Sequence, residues 1–179
     1  MLNLLRNCSF EPGDLPGWPD WWRIFGHPEP GVRQGPVTAQ GGPNWTFDTA
    51  DPVHGTQCLR MTRTGPAEND AYRPQVTSHK YVTVTSGEDY AFSLYLKADR
   101  PETTVRLFII DRNWTASEWT DVQVGAAWER KALTWTIPES INTVFVRFDL
   151  MTPATLWADA AQFEVGESAG PFTPPPEEE

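Results

Sequence analysis

Hydrophobic and polar residues alternate with a period of two over most of the second half of the chain. In the segment 89–99, DYAFSLYLKAD, one face carries Tyr90, Phe92, Leu94 and Leu96, and the other face carries mainly small or polar side chains. This alternation is typical of a β-strand with one buried face. The same pattern predicts further strands at residues 104–111, 119–124, 128–137 and 143–150.

Shorter runs predict additional strands, and no segment has the pattern of an amphipathic helix longer than a turn or two. The runs CLRMT, KYVTV and AAQFEV occupy residues 58–62, 80–84 and 160–165. Turn residues such as proline, glycine and asparagine separate the runs. Eight or more short antiparallel strands predict an all-β fold, either a sandwich or a barrel.

The region 13–51 does not follow this pattern. It holds many of the prolines and glycines and four of the nine tryptophans. A loop region of that length in a compact domain usually carries a function or packs as a layer of its own.

Length and charge limit the domain organisation and the partners. The 179 residues predict one domain, at 1–173, followed by a Pro/Glu linker or tail at 174–179 that cannot bury apolar surface. The 24 acidic and 14 basic side chains give a formal charge of -10, which argues against nucleic acid, because phosphates need Lys or Arg. No apolar run approaches the roughly 20 residues that span a bilayer. The apolar run in the opening residues is too short for a signal peptide. We expect a monomer with no nucleic-acid or membrane partner.

The two cysteines, Cys8 and Cys58, leave two interpretations open. They are too few for a zinc site made of cysteine alone, and they do not form a Cys-x-x-Cys motif. A disulfide bond and two buried free thiols are equally compatible with their positions in strand-like segments.

Three segments follow a characteristic order: NLLRNCSFEPG at the start, HGTQCLRMTR in the middle and LWADAAQFEVGESAGPFTP at the end. They resemble the galactose-binding-like jelly rolls of carbohydrate-binding module families 4, 9 and 22, and SGEDYAFSLYLKAD and AAWERKALTWTIPES are similar to the central strands of that group. The resemblance covers residues 3–174 and implies a two-sheet antiparallel β-sandwich, a jelly roll. It also implies a polysaccharide or oligosaccharide ligand and the catalytic domain of a parent enzyme, in a secreted or extracellular protein. Cys8 and Cys58 depart from the pattern of these families, in which small residues are common at the two positions.

Members of these families carry a structural calcium between the first and last strands, and the resemblance implies calcium here. Calcium binds six to eight hard oxygens, which two carboxylates and several carbonyls would supply. The alternative is that the carboxylates cap turns or pair with Arg6 and Arg60. The matching positions are Ser9, Glu11, Gln57 in the turn at 55–57, and Asp159.

The nine tryptophans exceed what a domain of this size needs for its core. Three of them lie in strand runs beside apolar residues and are expected in the core: Trp128, Trp135 and Trp157. The other six lie in turn-rich, polar segments, where an exposed indole is costly without a partner: Trp18, Trp21, Trp22, Trp45, Trp114 and Trp119.

Sugar recognition also needs planar polar groups that bridge neighbouring hydroxyls, and arginine offers a fixed fork of donors. If Val144 and Val146 face the core, Arg147 and Asp149 share the opposite face. The same argument turns Tyr95 outward, and the resemblance implies binding on the concave sheet. An ion pair between Arg147 and Asp149 on a solvated sheet is the alternative. The predicted carbohydrate-binding residues are Trp22, Arg23, Trp45, Tyr95, Trp114, Trp119, Arg147 and Asp149.

No motif of a catalytic site is present. The three histidines are scattered, and there is no spacing of a nucleophile with its base or of a phosphate loop. Glu118 and Asp121 are candidate paired carboxylates, but an acidic surface produces such pairs by chance. We therefore predict a non-catalytic module that binds a glycan and targets an appended glycoside hydrolase. The alternative is a structural or attachment β-sandwich, of phage-tail or cell-surface type, that binds protein or oligomerises.

Overall fold

The computed structural model describes residues 2–13, 19–27, 35–38, 40–66 and 73–175. Strands are the regular secondary structure of these ranges, and none of the described chain forms a helix that is long and apolar enough to cross a membrane. The strands, in chain order, are β1 Trp22–Phe25, β2 Gly41–Gly42, β3 Trp45–Asp48, β4 Cys58–Arg63, β5 Gln75–Ser78, β6 Val82–Thr83, β7 Asp89–Ala98, β8 Thr103–Asp111, β9 Ser117–Val124, β10 Glu129–Thr136, β11 Thr143–Leu150 and β12 Ala154–Val165.

The strands form two antiparallel sheets. The order in sheet A is β1-β5-β11-β8-β9, and β6 also pairs with β11. The order in sheet B is β10-β7-β12-β4-β3-β2. Neighbouring strands come from distant parts of the chain, as in β12, which lies between β4 and β7. The prediction of a two-sheet antiparallel β-sandwich of the jelly-roll type is confirmed.

The core lies between the sheets and takes alternate residues from each long strand. Phe92, Leu94 and Leu96 of β7 and Val146 and Phe148 of β11 are fully buried in it. Burial of each such side chain stabilises the fold by about 1.5–3 kcal/mol. The face assignment from the alternation is therefore confirmed in both strands. The intervening residues of sheet A point away from the core.

The N-terminal segment 2–13 closes one end of the sandwich. Leu4 donates its N–H to the carbonyl of Phe163 at 2.8 Å, which joins the segment to β12. Phe10 packs on Trp22 with 4.8 Å between ring centroids and contacts Phe148 at 6.4 Å. The segment therefore belongs to the core rather than to a free arm.

The long strands agree closely with the sequence pattern, and β12 shows where the pattern fails. Strands β7 to β11 begin and end within two residues of the predicted positions. Strand β12 begins at Ala154, six residues before the predicted start at Ala160. A β-bulge between Asp159 and Gln162, with Ala160 at a φ of 48°, shifts the register there. A bulge interrupts the alternation on which the prediction depended.

Four short strands in the first half were not predicted. β1, β2, β3 and β5 have two to four residues each, too few for an alternation to be recognised. β1 and β5 pair at one edge of sheet A, and β2 and β3 extend sheet B beyond β4. The prediction of a long loop region at 13–51 is therefore wrong at β1, β2 and β3, which lie within it. Residues 14–18, 28–34 and 39, including Trp18, lie outside the described residues.

Both cysteines are buried free thiols. Burial is the main cause that raises the pKa of Cys8 to about 11 and the pKa of Cys58 to about 12. Thiols with such pKa values are poor nucleophiles at neutral pH. The structure therefore shows two buried free thiols and not a disulfide bond.

The C-terminal segment 166–173 covers part of the outer face of sheet B. The Gly170 N–H donates to Glu164 Oε1 at 2.8 Å, and the Gly170 carbonyl accepts a hydrogen bond from Arg130. Thr173 donates its N–H to Gln162 Oε1 at 2.7 Å. Gln162 and Glu164 are fully buried. The side chains of Gln162 and Glu164 are therefore covered by this segment.

The two faces of sheet A predict different costs of truncation. Phe148→Ala should lower the free energy of unfolding by about 3–5 kcal/mol, because it opens a cavity among buried aromatic rings. Trp119→Ala is the matched control, since its side chain is 49% exposed on the outer face, and we expect a loss of about 1 kcal/mol or less. Urea denaturation followed by circular dichroism measures both. A larger loss for Trp119→Ala than for Phe148→Ala would contradict the assignment of the faces.

Candidate functional site

The outer face of sheet A carries two rows of side chains that cross all five main strands. Strand pairing places Arg23, Thr77, Arg147, Phe108 and Trp119 in the first row. The second row, two residues away along each strand, is Phe25, Gln75, Asp149, Arg106 and Asp121. Neighbouring strands lie about 4.8 Å apart, so each row is roughly 19 Å long. We call this surface, with the side chains packed on it, the sheet A face.

A bidentate ion pair lies at the centre of the sheet A face. Arg147 donates from Nε and Nη2 to the two carboxylate oxygens of Asp149 at 2.6 and 2.5 Å. Arg73 Nε lies 3.3 Å from the same carboxylate. The Asp149 side chain is fully buried, whereas that of Arg147 is 12% exposed. Two guanidinium groups offset the desolvation of this carboxylate.

A second ion pair supports the exposed indole of Trp119. Arg106 donates from Nε and Nη2 to Asp121 at 2.7 and 2.9 Å, and this hydrogen bonding lowers the pKa of Asp121. The guanidinium carbon of Arg106 lies 4.1 Å from the centroid of the Trp119 ring. Arg147 lies in the same way over Phe108, at 5.0 Å. Two guanidinium groups of the face, each held by a carboxylate, thus lie against flat rings.

The loop between β8 and β9 displays a second indole. The hydroxyl and N–H of Thr115 donate to Asp111 Oδ2 at 2.6 and 3.3 Å, and the hydroxyl contact is the main cause that lowers the pKa of Asp111. Within this closed turn Trp114 has a φ of 60°. Its side chain is 65% exposed and contacts Phe145, an outward residue of β11, at 5.0 Å. The turn therefore places the indole on the sheet A face and not in the core.

Tyr81 completes the aromatic part of the surface. Its ring is 50% exposed and contacts Phe145 at 6.0 Å. The guanidinium carbon of Arg112 lies 5.0 Å from the Tyr81 ring. The exposed aromatic side chains of the described chain are Tyr81, Trp114 and Trp119, and all three belong to this face.

Five of the eight residues predicted to bind carbohydrate come together here. Arg23, Arg147 and Asp149 lie in the two rows, as the strand parity predicted. Trp119 ends the first row, and Trp114 lies beside Phe145. The ion pair between Arg147 and Asp149, which was considered as the alternative, is present as well. An ion pair and a binding role are compatible, because the pair orients the arginine.

Three of the predicted binding residues lie away from the sheet A face. Trp22 is fully buried in the core, and its Nε1 donates to the Asn7 carbonyl at 2.9 Å. Trp45 is 3% exposed and belongs to sheet B. Tyr95 points outward as predicted, but from β7 of sheet B, where it contacts Arg130. Parity identifies the face of a strand, but it does not identify the sheet to which the strand belongs.

Of the three tryptophans expected in the core, one is confirmed and two are corrected. Trp135 is buried in the core. Trp128 and Trp157 are partly exposed on the outer face of sheet B, where their Nε1 groups donate to Asp51 and Asp48 at 3.2 and 2.8 Å. A residue that has apolar neighbours in a strand does not necessarily point to the same face of the sheet as those neighbours.

Several residues of the sheet A face were not found from the sequence. Arg106 and Phe108 have the outward parity of β8, so the alternation contained a signal for them. Arg73, Tyr81 and Arg112 lie beside the ends of strands, where no parity applies. Only the pairing of strands and the packing of side chains bring these three to the face.

The residues predicted to hold calcium lie around the segment 53–57. Glu11 accepts hydrogen bonds from the N–H of Thr56 at 2.8 Å and from its hydroxyl. Ser9 Oγ lies 2.7 Å from Nδ1 of His54. Gln57 Nε2 donates to the carbonyl of Phe10 at 2.8 Å. These contacts tie the N-terminal segment to the segment before β4.

Asp159 contacts the same segment from β12. Its carboxylate accepts the N–H groups of Val53, His54 and Ala160 at 2.6, 3.0 and 2.7 Å. Burial is the main cause that raises its pKa to about 6. The ionised form therefore carries a desolvation cost that a bound cation would offset.

The donor set fits calcium in kind, because it offers two carboxylates, a hydroxyl and an amide oxygen. The carboxylates of Glu11 and Asp159 already accept N–H groups in this arrangement. Among the described residues, no three His, Cys, Asp or Glu side chains form a metal-binding group. Calcium at Ser9, Glu11, Gln57 and Asp159 stays a prediction.

Comparison with known proteins shows the fold class. No protein-family model matches the chain, and no curated protein is significantly similar to it. A structure described as a CBM4 module is 20% identical, with 90% of this chain and 99% of that chain covered and a TM-score of 0.61. The structure of TmCBM61 in complex with β-1,4-galactotriose is 12% identical, with 93% and 100% covered and a TM-score of 0.64.

The same fold occurs inside a longer phage protein. The enzymatically active domain of tailspike protein 4 from bacteriophage CBA120 is 13% identical, with 92% of this chain but 22% of that chain covered and a TM-score of 0.63. At these identities the similarity concerns the fold alone. The chain has the jelly-roll fold of carbohydrate-binding modules.

The raised pKa of Asp159 predicts a pH dependence of stability with a defined sign. The pKa is about 6 in the folded state against an ordinary 3.8, so its stabilising contribution is complete below pH 4 and is lost as the pH rises through 6. The stability of the wild type relative to Asp159→Asn should therefore fall between pH 4 and pH 7, by on the order of 2 kcal/mol. Urea denaturation in the presence of a chelator measures it.

Asp51→Asn is the control for this pH dependence, because the Asp51 side chain is 67% exposed and its pKa is lowered, mainly by the hydrogen bond from Lys97. Its effect should be nearly constant over the same pH range. An equally constant difference for Asp159→Asn would show that Asp159 has an ordinary pKa in the folded protein.

Proposed function

We propose that the sheet A face binds a polysaccharide or oligosaccharide chain. The observation that carries this proposal is the grouping of three exposed rings on one face, with Trp114 and Tyr81 both in contact with Phe145 and with Trp119 beside Arg106. Clustered exposed rings on a soluble domain indicate a ligand or a partner. The fold shared with carbohydrate-binding modules supports a sugar as that ligand.

The chemistry of the face suits a pyranose ring. A sugar has an apolar C–H face that packs on a flat aromatic ring, and hydroxyls that need planar polar partners. Trp114 and Trp119 offer the rings, and Arg147 offers N–H donors in a direction set by Asp149. Because Arg147 is already ordered, its binding to a ligand loses little side-chain entropy. The row length of roughly 19 Å suits a chain lying across the strands.

The proposed role is binding without catalysis. The candidate carboxylates Glu118 and Asp121 are three residues apart in β9, so they point to opposite faces of the sheet. Asp121 is also held in a bidentate pair by Arg106. This arrangement does not provide two carboxylates that flank one glycosidic bond.

We also propose that the domain is a monomeric part of a larger secreted or extracellular protein that contains a glycoside hydrolase. A binding module would raise the effective concentration of the catalytic domain at its polymer substrate. The Pro/Glu composition at 174–179 is typical of a semi-rigid spacer.

Calcium is a further proposal, with a structural role. Glu11 and Asp159, assisted by Ser9 and Gln57, are the residues that would hold it. A bound ion would supply charge compensation between the N-terminal segment, the segment 53–57 and β12.

Binding calorimetry with tryptophan variants tests the carbohydrate proposal. On soluble galactan, xylan, β-glucans and mannans, we expect Trp114→Ala and Trp119→Ala each to weaken binding about tenfold, because each removes a stacking surface worth about 1.4 kcal/mol. Trp128→Ala is the matched control, since it removes a partly exposed indole from the outer face of sheet B, and we expect no change.

Two outcomes would contradict carbohydrate binding. The first is no retention of the folded protein on any glycan of a broad panel in affinity electrophoresis. The second is sedimentation as an obligate oligomer whose interface contains Trp114 and Trp119, which would favour the structural or attachment role.

Thermal denaturation tests the calcium proposal. We expect millimolar calcium to raise the melting temperature by several degrees over a sample in EDTA, because an ion that binds only the folded state stabilises it by mass action. Glu11→Gln should abolish the shift, and the exposed Glu88→Gln should keep it. An unchanged melting temperature in EDTA would contradict the proposal.

A further inference from the structure

The turn between β8 and β9 combines two unfavourable features at one residue. Trp114 has a φ of 60°, in the left-handed region that a bulky side chain rarely adopts, and its indole is 65% exposed. Phe10 and Trp21 also have a positive φ, but the ring of Phe10 is fully buried and that of Trp21 packs on the core. Burial offsets the backbone strain in those two residues. The fold gains no comparable burial from Trp114.

The strained conformation of Trp114 is imposed by hydrogen bonds to Asp111, because strained backbone persists only where the surrounding contacts fix it. Asp111 Oδ2 accepts hydrogen bonds from the hydroxyl and the N–H of Thr115 at 2.6 and 3.3 Å. The Asp111 carbonyl accepts the N–H of Trp114 at 2.9 Å, and the Asp111 N–H donates to the carbonyl of Ala116 at 2.9 Å. Asp111 therefore holds the chain at Trp114 and at the two residues that follow it.

Contacts outside the turn fix its position on the sheet A face. The Arg112 N–H donates to the carbonyl of Thr143 at 3.0 Å, which joins the turn to the start of β11. The indole of Trp114 contacts Phe145, which is 3% exposed, and the two rings are inclined by 60° and not stacked face to face. Tyr81 contacts the same Phe145 ring and the guanidinium group of Arg112. The turn and β11 together therefore support two exposed rings.

We propose that Asp111 and Thr115 are positioning residues of the carbohydrate site, which hold the Trp114 indole in its exposed orientation before a ligand binds. This inference rests on the proposed carbohydrate binding and assigns a role to two residues that act through the indole. A side chain that is already ordered loses little entropy when a ligand packs on it. The strained turn thus lowers the stability of the free protein and raises its affinity for a sugar ring.

Glycine and alanine substitutions separate the backbone strain from the loss of the ring. In urea denaturation, Trp114→Gly should have a higher midpoint than Trp114→Ala, because glycine adopts a φ of 60° without a steric cost. Trp119→Gly and Trp119→Ala are the matched control, since Trp119 is an exposed indole within β9, and there the glycine variant should be the less stable one. The same order of stability at both positions would overturn the strain at Trp114.

The order of the indole in the free protein tests the positioning role without a ligand. Nitrogen-15 relaxation of the Trp114 Nε1–H should show an ordered indole in the wild type and in Thr115→Ser, which keeps the hydroxyl donor. The indole should be more mobile in Thr115→Val, which removes that donor and keeps the shape of the side chain. Thr115 is exposed, so we expect both variants to fold. An order parameter below about 0.6 in the wild type would overturn the proposal.

Calorimetry measures the effect on affinity, with the polysaccharide that the wild type binds most tightly among soluble galactan, xylan, β-glucan and mannan. Thr115→Val should weaken binding about fivefold, which corresponds to one lost hydrogen bond, and Thr115→Ser should bind as the wild type does. In a Trp114→Ala background, Thr115→Val should have no further effect, because Thr115 acts through that indole. Asp111→Ala should behave as Thr115→Val does in both backgrounds.

The outcomes separate the positioning role from the function on which it rests. Wild-type affinity in Thr115→Val would overturn the positioning role and leave carbohydrate binding intact. An equal loss of affinity with and without the Trp114 indole would show that Thr115 contacts the sugar itself, which also overturns the positioning role. Binding of no polysaccharide by the wild type would overturn carbohydrate binding, whereas the urea and relaxation measurements would still decide whether the turn holds the indole.

Discussion

The packing of two sheets around one core imposes a period of two on every long strand. Side chains such as Phe92 and Phe148 must lie between the sheets, and each stabilises the fold by about 1.5–3 kcal/mol. A shift of one residue in any long strand would turn its buried set to solvent, so the registers are strongly determined. The same registers deliver Arg147, Phe108 and Trp119 to one outer row. The surface is thus a consequence of the core.

Asp149 has on the outer face the organising role that the aromatic residues have inside. A fully buried carboxylate is stable there because it is bound bidentately by Arg147 and lies near Arg73. The ion pair adds little to stability, but it fixes the direction of a guanidinium that would otherwise be mobile. A pre-oriented donor beside flat rings is what a sugar-binding surface needs, so this pair links the fold to the proposed function.

The two outer faces of the sandwich are used differently. On sheet B, the segment 166–173 covers Gln162 and Glu164, and the indoles of Trp128 and Trp157 are bonded to acidic loop residues. On sheet A, the rings of Tyr81, Trp114 and Trp119 remain exposed. Aromatic content alone therefore does not locate a site, since sheet B is also rich in tryptophan. What distinguishes sheet A among the described residues is the greater exposure of its aromatic rings.

Strands β7 to β11 and the outward direction of Arg147 and Asp149 could be predicted from the sequence, because alternation reflects the burial of one face and needs no knowledge of the partner strand. The four-residue strand of Trp22 is too short for that signal, and its indole proved to belong to the core. Tyr95 has the same outward parity as Arg147 but lies in the other sheet. Which strands pair is decided by how the whole chain closes its core, through contacts between residues far apart in sequence. The local pattern predicted the ingredients of the candidate surface, and the tertiary structure decided which of them share it.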